Sequence, residues 1–169
     1  MKSDSKIRVY TNGMVAKGAG AYAYVVLESK ECGDVRIGDG FGRMSGPSKP
    51  RAEFAQAGPA TDEMRMQMRA VYEGVRHCPD NAHVEVYGDN FLLECAFESV
   101  TRVMENGDIA ERYRQYVAAH KISVSFVITN RYRADDLPCN DDDEWTWYAY
   151  HLCEKAIKRY NKGNKENAE

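Results

Sequence analysis

Alternating apolar and polar positions near the N-terminus predict strands before any helix. Residues 6–10 alternate and end in Thr11-Asn12-Gly13, and a second apolar run covers residues 21–27. A third run covers residues 35–42. Alternation with a period of two is typical of strands, and glycine-containing turns between successive runs favour antiparallel pairing. The chain is therefore predicted to begin with a three-stranded antiparallel meander.

Helices and strands alternate in the rest of the chain. Residues 44–60 form an insertion that contains Pro, Gly and Ser. Apolar residues at helical spacing then predict a helix that is capped by Thr61 or Asp62, runs to about His77 and is stopped by Pro79. The later pattern predicts, in order, a strand at 83–88, helices at 90–97 and 108–120, a strand at 122–128 and a long helix at 141–160.

This order of elements predicts the fold class. Three strands followed by helix, strand, helices, strand and helix indicate an α/β fold with a five-stranded mixed sheet, in which the meander is joined to parallel strands by helical crossovers. A length of 169 residues fits one domain. We expect a single domain over residues 1–160 and a flexible C-terminal tail over residues 161–169.

Composition favours one class of cellular compartment for this protein. No apolar stretch approaches the roughly 20 residues that a membrane span needs, and the N-terminus has no signal-type apolar segment. The five cysteines form neither a C-x-x-C pair nor a zinc pattern, which favours reduced thiols; they are Cys32, Cys78, Cys95, Cys139 and Cys153. We expect an intracellular protein, cytoplasmic or nuclear, with no membrane partner.

The formal net charge is −3. A domain that binds nucleic acid tightly by itself usually carries a basic footprint. Any binding of nucleic acid by this chain must therefore come from a local basic patch.

Polar residues stand where ligands bind in an open α/β sheet, at the ends of strands and the starts of nearby helices. Asn12 follows the first predicted strand, Asp89 directly follows the fourth, and Asp143 lies at the start of the last helix. Each also has a simpler structural interpretation. Asn12 suits a turn before Gly13, Asp89 can cap the next helix, and the acids at 141–144 complement the helix dipole.

Taken together, these stretches resemble the type 1 ribonuclease H family, which includes the ribonuclease H domains of reverse transcriptases. Thr11-Asn12-Gly13 stands where the family has Thr-Asp-Gly, and residues 20–24 correspond to its Gly-Tyr-Gly-like second strand. Arg65-Met66-Gln67 matches an Arg-Met-Glu-like motif, and residues 84–90 match an apolar strand that ends in Thr-Asp-Ser. Four pieces in the right order are stronger evidence than any one of them.

The last helix leaves one assignment open. The family has an Asn followed by an Asp in this region, and Asn140 with Asp143 matches it if one residue is skipped. A placement without a gap puts Trp147 there instead.

The resemblance implies hydrolysis of the RNA strand of RNA–DNA hybrids with two Mg²⁺ ions as cofactors. It implies catalytic roles for Asn12, Gln67, Asp89 and Asp143, with Asp89 and Asp143 as the remaining metal ligands. It also implies substrate-binding roles for Gly13, Met14 and Asn90. The loop after the last strand lacks the histidine that many members of the family carry there. Arg131 and Arg133 in this loop either bind phosphate of the substrate or are ordinary solvated residues.

Two of the four acids are replaced by amides, at Asn12 and Gln67. An amide supplies an oxygen but no charge, and a pair of unit charges about 4 Å apart interacts by about 4 kcal/mol at an effective dielectric constant near 20. Two such replacements are expected to weaken Mg²⁺ binding severely. Glu63, one helical turn before Gln67, can partly replace the lost carboxylate or be an ordinary exposed acid.

Three function classes follow from these residues. The first is a hybrid nuclease that the substitutions at Asn12 and Gln67 inactivate in this chain. The second is a divergent nuclease that uses other acids, and the third is a silent ribonuclease H-like module that binds nucleic acid or protein. We interpret the chain as a ribonuclease H-like protein that is inactive or very weak as written, with the silent module as the alternative. It lacks the Lys/Arg-rich protrusion of some relatives, so we expect weak binding of RNA–DNA hybrid and the need for a partner protein or domain.

Overall fold

The computed structural model describes residues 6–16, 19–45, 63–90, 92–98, 106–129 and 140–166. Most of the predicted insertion at 44–60, the predicted cap at Thr61 or Asp62, and Cys139 lie outside these residues. So do Arg131 and Arg133.

Five strands and four helices make up the described part of the chain. In chain order they are β1 (Ile7–Ala16), β2 (Ala19–Lys30), β3 (Gly33–Ser45), α1 (Glu63–Val75), β4 (His83–Gly88), α2 (Leu93–Glu98), α3 (Gly107–Ala119), β5 (Ser123–Ile128) and α4 (Asp141–Glu166).

The strands form one mixed sheet in the order β3-β2-β1-β4-β5. The pairs β1–β2 and β2–β3 are antiparallel, whereas β1–β4 and β4–β5 are parallel. The predicted five-stranded mixed sheet, with three antiparallel strands followed by parallel ones, is confirmed.

Strand β1 is longer than its alternation predicts. We predicted that it ends at residue 10, yet it continues to Ala16, with Asn12 paired to Ala23 and Gly13 to Tyr22 on β2. Positive φ among the described non-glycine residues occurs at positions 81, 106 and 121, and not at Asn12. The interpretation of Asn12 as a turn residue is therefore wrong, because pairing with β2 holds it in extended backbone.

Helix α4 also exceeds its predicted length. It continues from residue 160 to Glu166, so residues 161–166 of the predicted tail are helical. No proline follows Tyr160, and one glycine at 163 costs a helix only about 1 kcal/mol.

Helices cover both faces of the sheet. On one face, α1 and α3 pack over an aliphatic core that includes Val9, Val26 and Val86. On the other face, α4 lies over β1 and β2, where small residues such as Ala23 and Ala149 allow close approach. No helix in the described ranges is long and apolar enough to cross a membrane.

An ion pair between buried Arg65 and half-exposed Asp108 joins α1 to α3. Arg65 is only 4% exposed, and its two terminal nitrogens donate to the two carboxylate oxygens of Asp108 at 2.7 and 2.8 Å. Hydrogen bonding to Arg65 lowers the pKa of Asp108. This fork-to-fork geometry fixes the orientation of α1, which carries Gln67 two residues later.

Candidate functional site

Parallel pairing of β1 and β4 sets Asn12 beside Asp89. The last paired residues are Tyr10 and Tyr87, and each polar residue follows two positions later along the chain. Asn12 is buried, at 5% exposure, while Asp89 is half-buried just past the end of β4. The register therefore brings these two sequence-predicted positions to the same part of the sheet.

Gln67 reaches the same place from α1. It is 2% exposed, and its Nε2 donates to Asp89 Oδ1 at 3.4 Å and to Glu63 Oε1 at 3.2 Å. Glu63 lies one helical turn before Gln67, which is why both side chains lie on one face of the helix. A single neutral amide thus binds two carboxylates that would otherwise repel each other.

Gly13 allows α1 to approach this closely. A Cβ at position 13 would lie 2.6 Å from the carbonyl carbon of Met66 and 2.8 Å from its Cβ, and closer still to the backbone nitrogen of Gln67. The glycine is required by close approach and not by its φ, since it is paired within β1. Its predicted role in substrate binding stays a prediction, whereas its role in placing Gln67 follows from the packing.

Both oxygens of Asn12 accept hydrogen bonds from protein groups. Its side-chain Oδ1 accepts from the backbone N–H of Gly13 at 2.8 Å, and its backbone carbonyl accepts from the thiol of Cys153 on α4 at 3.5 Å. Burial, with smaller effects of the negative charges of Asp89 and Glu154, raises the pKa of the Cys153 thiol. Neither Cys153 nor Glu154 belongs to a motif, so no sequence pattern indicates their position beside Asn12.

Asp143 lies in the first turn of α4 and is 3% exposed. Its backbone N–H is capped by Asn140 Oδ1 at 2.8 Å, which explains why an Asn stands before the helix. Asp143 precedes Cys153 by ten residues, or about 15 Å along the helix axis. Among the described residues, no hydrogen bond joins Asp143 to Gln67 or Asp89. Its membership of the site stays a prediction.

Trp147, the other residue considered for the fourth position, is half-buried on α4. Its indole ring packs edge-on against His151, with ring centroids 4.0 Å apart. Its Nε1 is buried without a hydrogen-bond partner. These contacts do not choose between Trp147 and Asp143.

The remaining predicted positions have local structural roles. Met14 packs against the small-residue cluster under α4, and Asn90 Oδ1 accepts from the backbone N–H of Leu92 at 2.9 Å. That contact turns the chain into α2. Arg131 and Arg133 lie outside the described residues.

The donor set does not fit a pair of divalent cations. Three of the predicted positions, Asn12, Gln67 and Asp89, supply one carboxylate and two amides, and Gln67 presents an N–H donor to the Asp89 oxygen. Within the described ranges, no group of three or more His, Cys, Asp or Glu residues could hold a metal ion. The amide oxygen of Gln67 is buried without a hydrogen-bond partner. This oxygen occupies a position where a glutamate would bring negative charge.

Solved structures of similar shape identify the fold. The chain is similar to ribonuclease H1 from the halophilic archaeon Halobacterium salinarum, with a TM-score of 0.57 and 14% identity over 91% of this chain and 98% of that one. It is also similar to the N-terminal ribonuclease H domain of a Mycobacterium tuberculosis protein, with a TM-score of 0.60 and 10% identity over 95% and 99% of the two chains. A third similar structure is LC11 ribonuclease H1 in complex with an RNA/DNA hybrid, with a TM-score of 0.60 and 16% identity over 91% and 98%.

Comparison with protein-family models and with curated proteins gives no match. Structural likeness at such low identity is evidence about the fold and not about the chemistry. The strand order, the crossovers and the coverage of nearly the whole chain agree: the chain has the ribonuclease H fold.

Proposed function

We propose that this chain is a ribonuclease H-like nucleic-acid-binding protein whose site, as written, cleaves the RNA strand of RNA–DNA hybrids very weakly or not at all. The observation that carries the proposal is the hydrogen bond from the Gln67 amide to Asp89. An N–H donor lies where hydrolysis by this fold would require negative charge.

The substrate class rests on structural likeness. The LC11 ribonuclease H1 was solved with an RNA/DNA hybrid, and it covers 91% of this chain. We extend hybrid binding to this chain as part of the proposal. The net charge of −3 favours weak binding that falls as the salt concentration rises.

We expect weak binding of Mg²⁺ for two reasons. Asn12 and Gln67 lack the charge that a hard divalent cation needs from its ligands. In addition, a cation at Asp89 would have to displace the Gln67 amide and break its hydrogen bond to Asp89. Instead, the Gln67 amide holds Asp89 and Glu63 in place by hydrogen bonds.

The test restores the missing charges. Asn12→Asp together with Gln67→Glu leaves the side-chain shapes nearly unchanged and adds two negative charges beside Asp89. We expect the restored variant to cut the RNA strand of a labelled hybrid in millimolar Mg²⁺, while the unsubstituted chain shows little cleavage. Cleavage is followed on a denaturing gel, and Mg²⁺ binding is measured separately by calorimetry.

Two controls accompany this test. Adding Asp89→Asn to the restored variant should abolish cleavage, because contaminating cellular ribonuclease H would not depend on Asp89. Circular dichroism shows whether each variant is folded. A restored variant that folds, yet neither binds Mg²⁺ nor cuts hybrid, would rule out the latent nuclease and leave the silent interaction module.

A further inference from the structure

A basic surface lies on the outer side of α4, away from the sheet. It consists of Lys155, Lys158, Arg159 and Lys162, which together with His151 and Glu154 line one shallow depression. Their spacing of three and four residues puts them on one side of the helix. Cys153 and Ala156, which pack against the sheet, lie on the opposite side.

The four cations of this basic surface are not neutralised by neighbours. Most other described Lys and Arg residues lie in ion pairs, such as Lys6 with Glu85 and Arg69 with Glu73. Within the described ranges, none of the four basic-surface residues forms an ion pair. Glu154, the one acid among the residues that line the depression, is hydrogen-bonded to His151 at 2.9 Å, and its single negative charge is outnumbered by the four cations. The surface is therefore strongly positive on a chain whose net charge is −3.

The helix dipole does not account for these charges. Cations stabilise a helix within about its last turn, and α4 ends at Glu166. Lys155 and Lys158 lie two or more turns before that end. Their accumulation on one exposed side needs a different explanation.

We propose that the basic surface of α4 binds the phosphate backbone of nucleic acid, at a place separate from the cluster around Asp89. Lys155 and Lys162 are seven residues apart, or about 10 Å along the helix axis. Duplex DNA carries one phosphate per strand for about every 3.4 Å of its axis, so the surface spans about three base pairs. Lysine and arginine contacts of this kind bind without reading sequence.

The surroundings favour nucleic acid over a membrane. A helix that lies in a bilayer surface needs an apolar face to insert, but the apolar residues of α4 are buried against the sheet. At the edge of the basic surface, the Arg159 guanidinium lies 5.5 Å from the centre of the Phe41 ring on β3. A guanidinium held over a half-buried aromatic ring is positioned to bind a phosphate group.

The acids at the start of α4 limit where a polyanion can lie. Asp141, Asp142, Asp143 and Glu144 occupy the first turn, so negative potential covers that end of the helix. A nucleic acid on this surface is therefore confined to the C-terminal half of α4. This inference goes beyond the proposed hydrolysis, because it needs neither Asp89 nor a metal ion.

The test compares two matched double variants of the full chain. Lys158→Gln with Lys162→Gln removes two charges from the basic surface, and Arg112→Gln with Lys121→Gln removes two exposed charges from elsewhere. Binding to a fluorescein-labelled DNA duplex is measured by anisotropy between about 50 and 200 mM salt. Each lost phosphate contact makes the negative slope of log K against log salt concentration shallower by about 0.9. We therefore expect the slope to become less negative by about 1.8 for the first variant and to stay unchanged for the second.

The results separate this proposal from the proposed function. If the slope and the affinity are unchanged in Lys158→Gln with Lys162→Gln, the basic surface does not bind nucleic acid. A failure of the unsubstituted chain to bind duplex at low salt would also overturn this proposal. Neither result would bear on hybrid cleavage by the variant with restored acids. Competition by polyglutamate or by phosphatidylserine vesicles that equals competition by unlabelled duplex at equal charge would also overturn the assignment to nucleic acid. A melting curve for each variant checks that it is folded.

Discussion

Replacing Gly13 by alanine should destabilise the protein through one added methyl group. The new Cβ would lie 2.6 Å from the carbonyl carbon of Met66, whereas real Cβ atoms essentially never come within 3.0 Å of another heavy atom. The nearest obstacles at Met66 and Gln67 belong to the backbone of α1, so no side-chain rotation relieves the clash. Either α1 or β1 must move by about 1 Å to restore van der Waals contact.

That displacement sets the expected magnitude. Overpacking a close-packed interior costs about 1–3 kcal/mol, and a clash with backbone belongs at the upper end of this range. For a chain of 169 residues, each 1 kcal/mol lowers the melting temperature by about 2–4 °C. We therefore expect Gly13→Ala to lower the free energy of unfolding by about 2–3 kcal/mol and the melting temperature by about 4–12 °C.

Gly163→Ala is the matched control. A Cβ at position 163 meets nothing within 4 Å, and this glycine lies inside α4. Alanine there should stabilise the protein by about 0.5–1 kcal/mol, because it removes a poor helix former. Urea denaturation of both variants gives the two free energies. If Gly13→Ala unfolds at the same urea concentration as the unsubstituted protein, α1 does not lie on β1 as closely as described.

Two further results are expected. Asp108→Asn should lower the free energy of unfolding by about 1–2 kcal/mol at neutral pH, because it breaks the charge-assisted pair between buried Arg65 and half-exposed Asp108. Arg65 lowers the pKa of Asp108 in the folded state. The difference in free energy of unfolding between the two proteins should therefore persist above the unfolded pKa of about 4 and vanish as the pH falls through the folded pKa. A difference that grows in acid would contradict this reasoning. Ellman's reagent at pH 8 should modify exposed Cys95 well before Cys153, whose thiol is buried and has a raised pKa, and equal rates by mass spectrometry would contradict the burial.

The fold could be predicted because its signals are local and repeated. The strand at 83–88 was predicted with its observed bounds, since a short apolar run is bounded by polar residues and followed by a helix. The length of β1 could not be predicted in the same way. Asn12 and Gly13 have turn-forming propensity, but pairing with β2 and contact with α1 override it.

The candidate site was predictable only to the level of individual positions. The motifs indicated Asn12, Gln67 and Asp89, and the structure adds that Gln67 donates to Asp89. No sequence pattern could give the direction of that amide or the contact of Asn12 with Cys153, because both depend on how distant elements pack. For the same reason, sequence alone could not assign Asp143 to the site, because α4 carries acids in its first turn and again farther along, beside its contact with Asn12.

Position 67 connects stability with chemistry in this fold. A glutamate there would place a third carboxylate beside Glu63 and Asp89, and each pair of like charges about 4 Å apart costs about 4 kcal/mol at an effective dielectric constant near 20, before screening. Glutamine converts that repulsion into two hydrogen bonds. The change that removes charge from the site therefore also stabilises the protein without a metal ion, as expected where activity and stability make opposite demands. At Gly13 activity and stability do not make opposite demands, because the packing of α1 on β1 needs this glycine whether or not the site is active. The contacts that require Gly13 are therefore the same whether position 67 carries glutamine or glutamate.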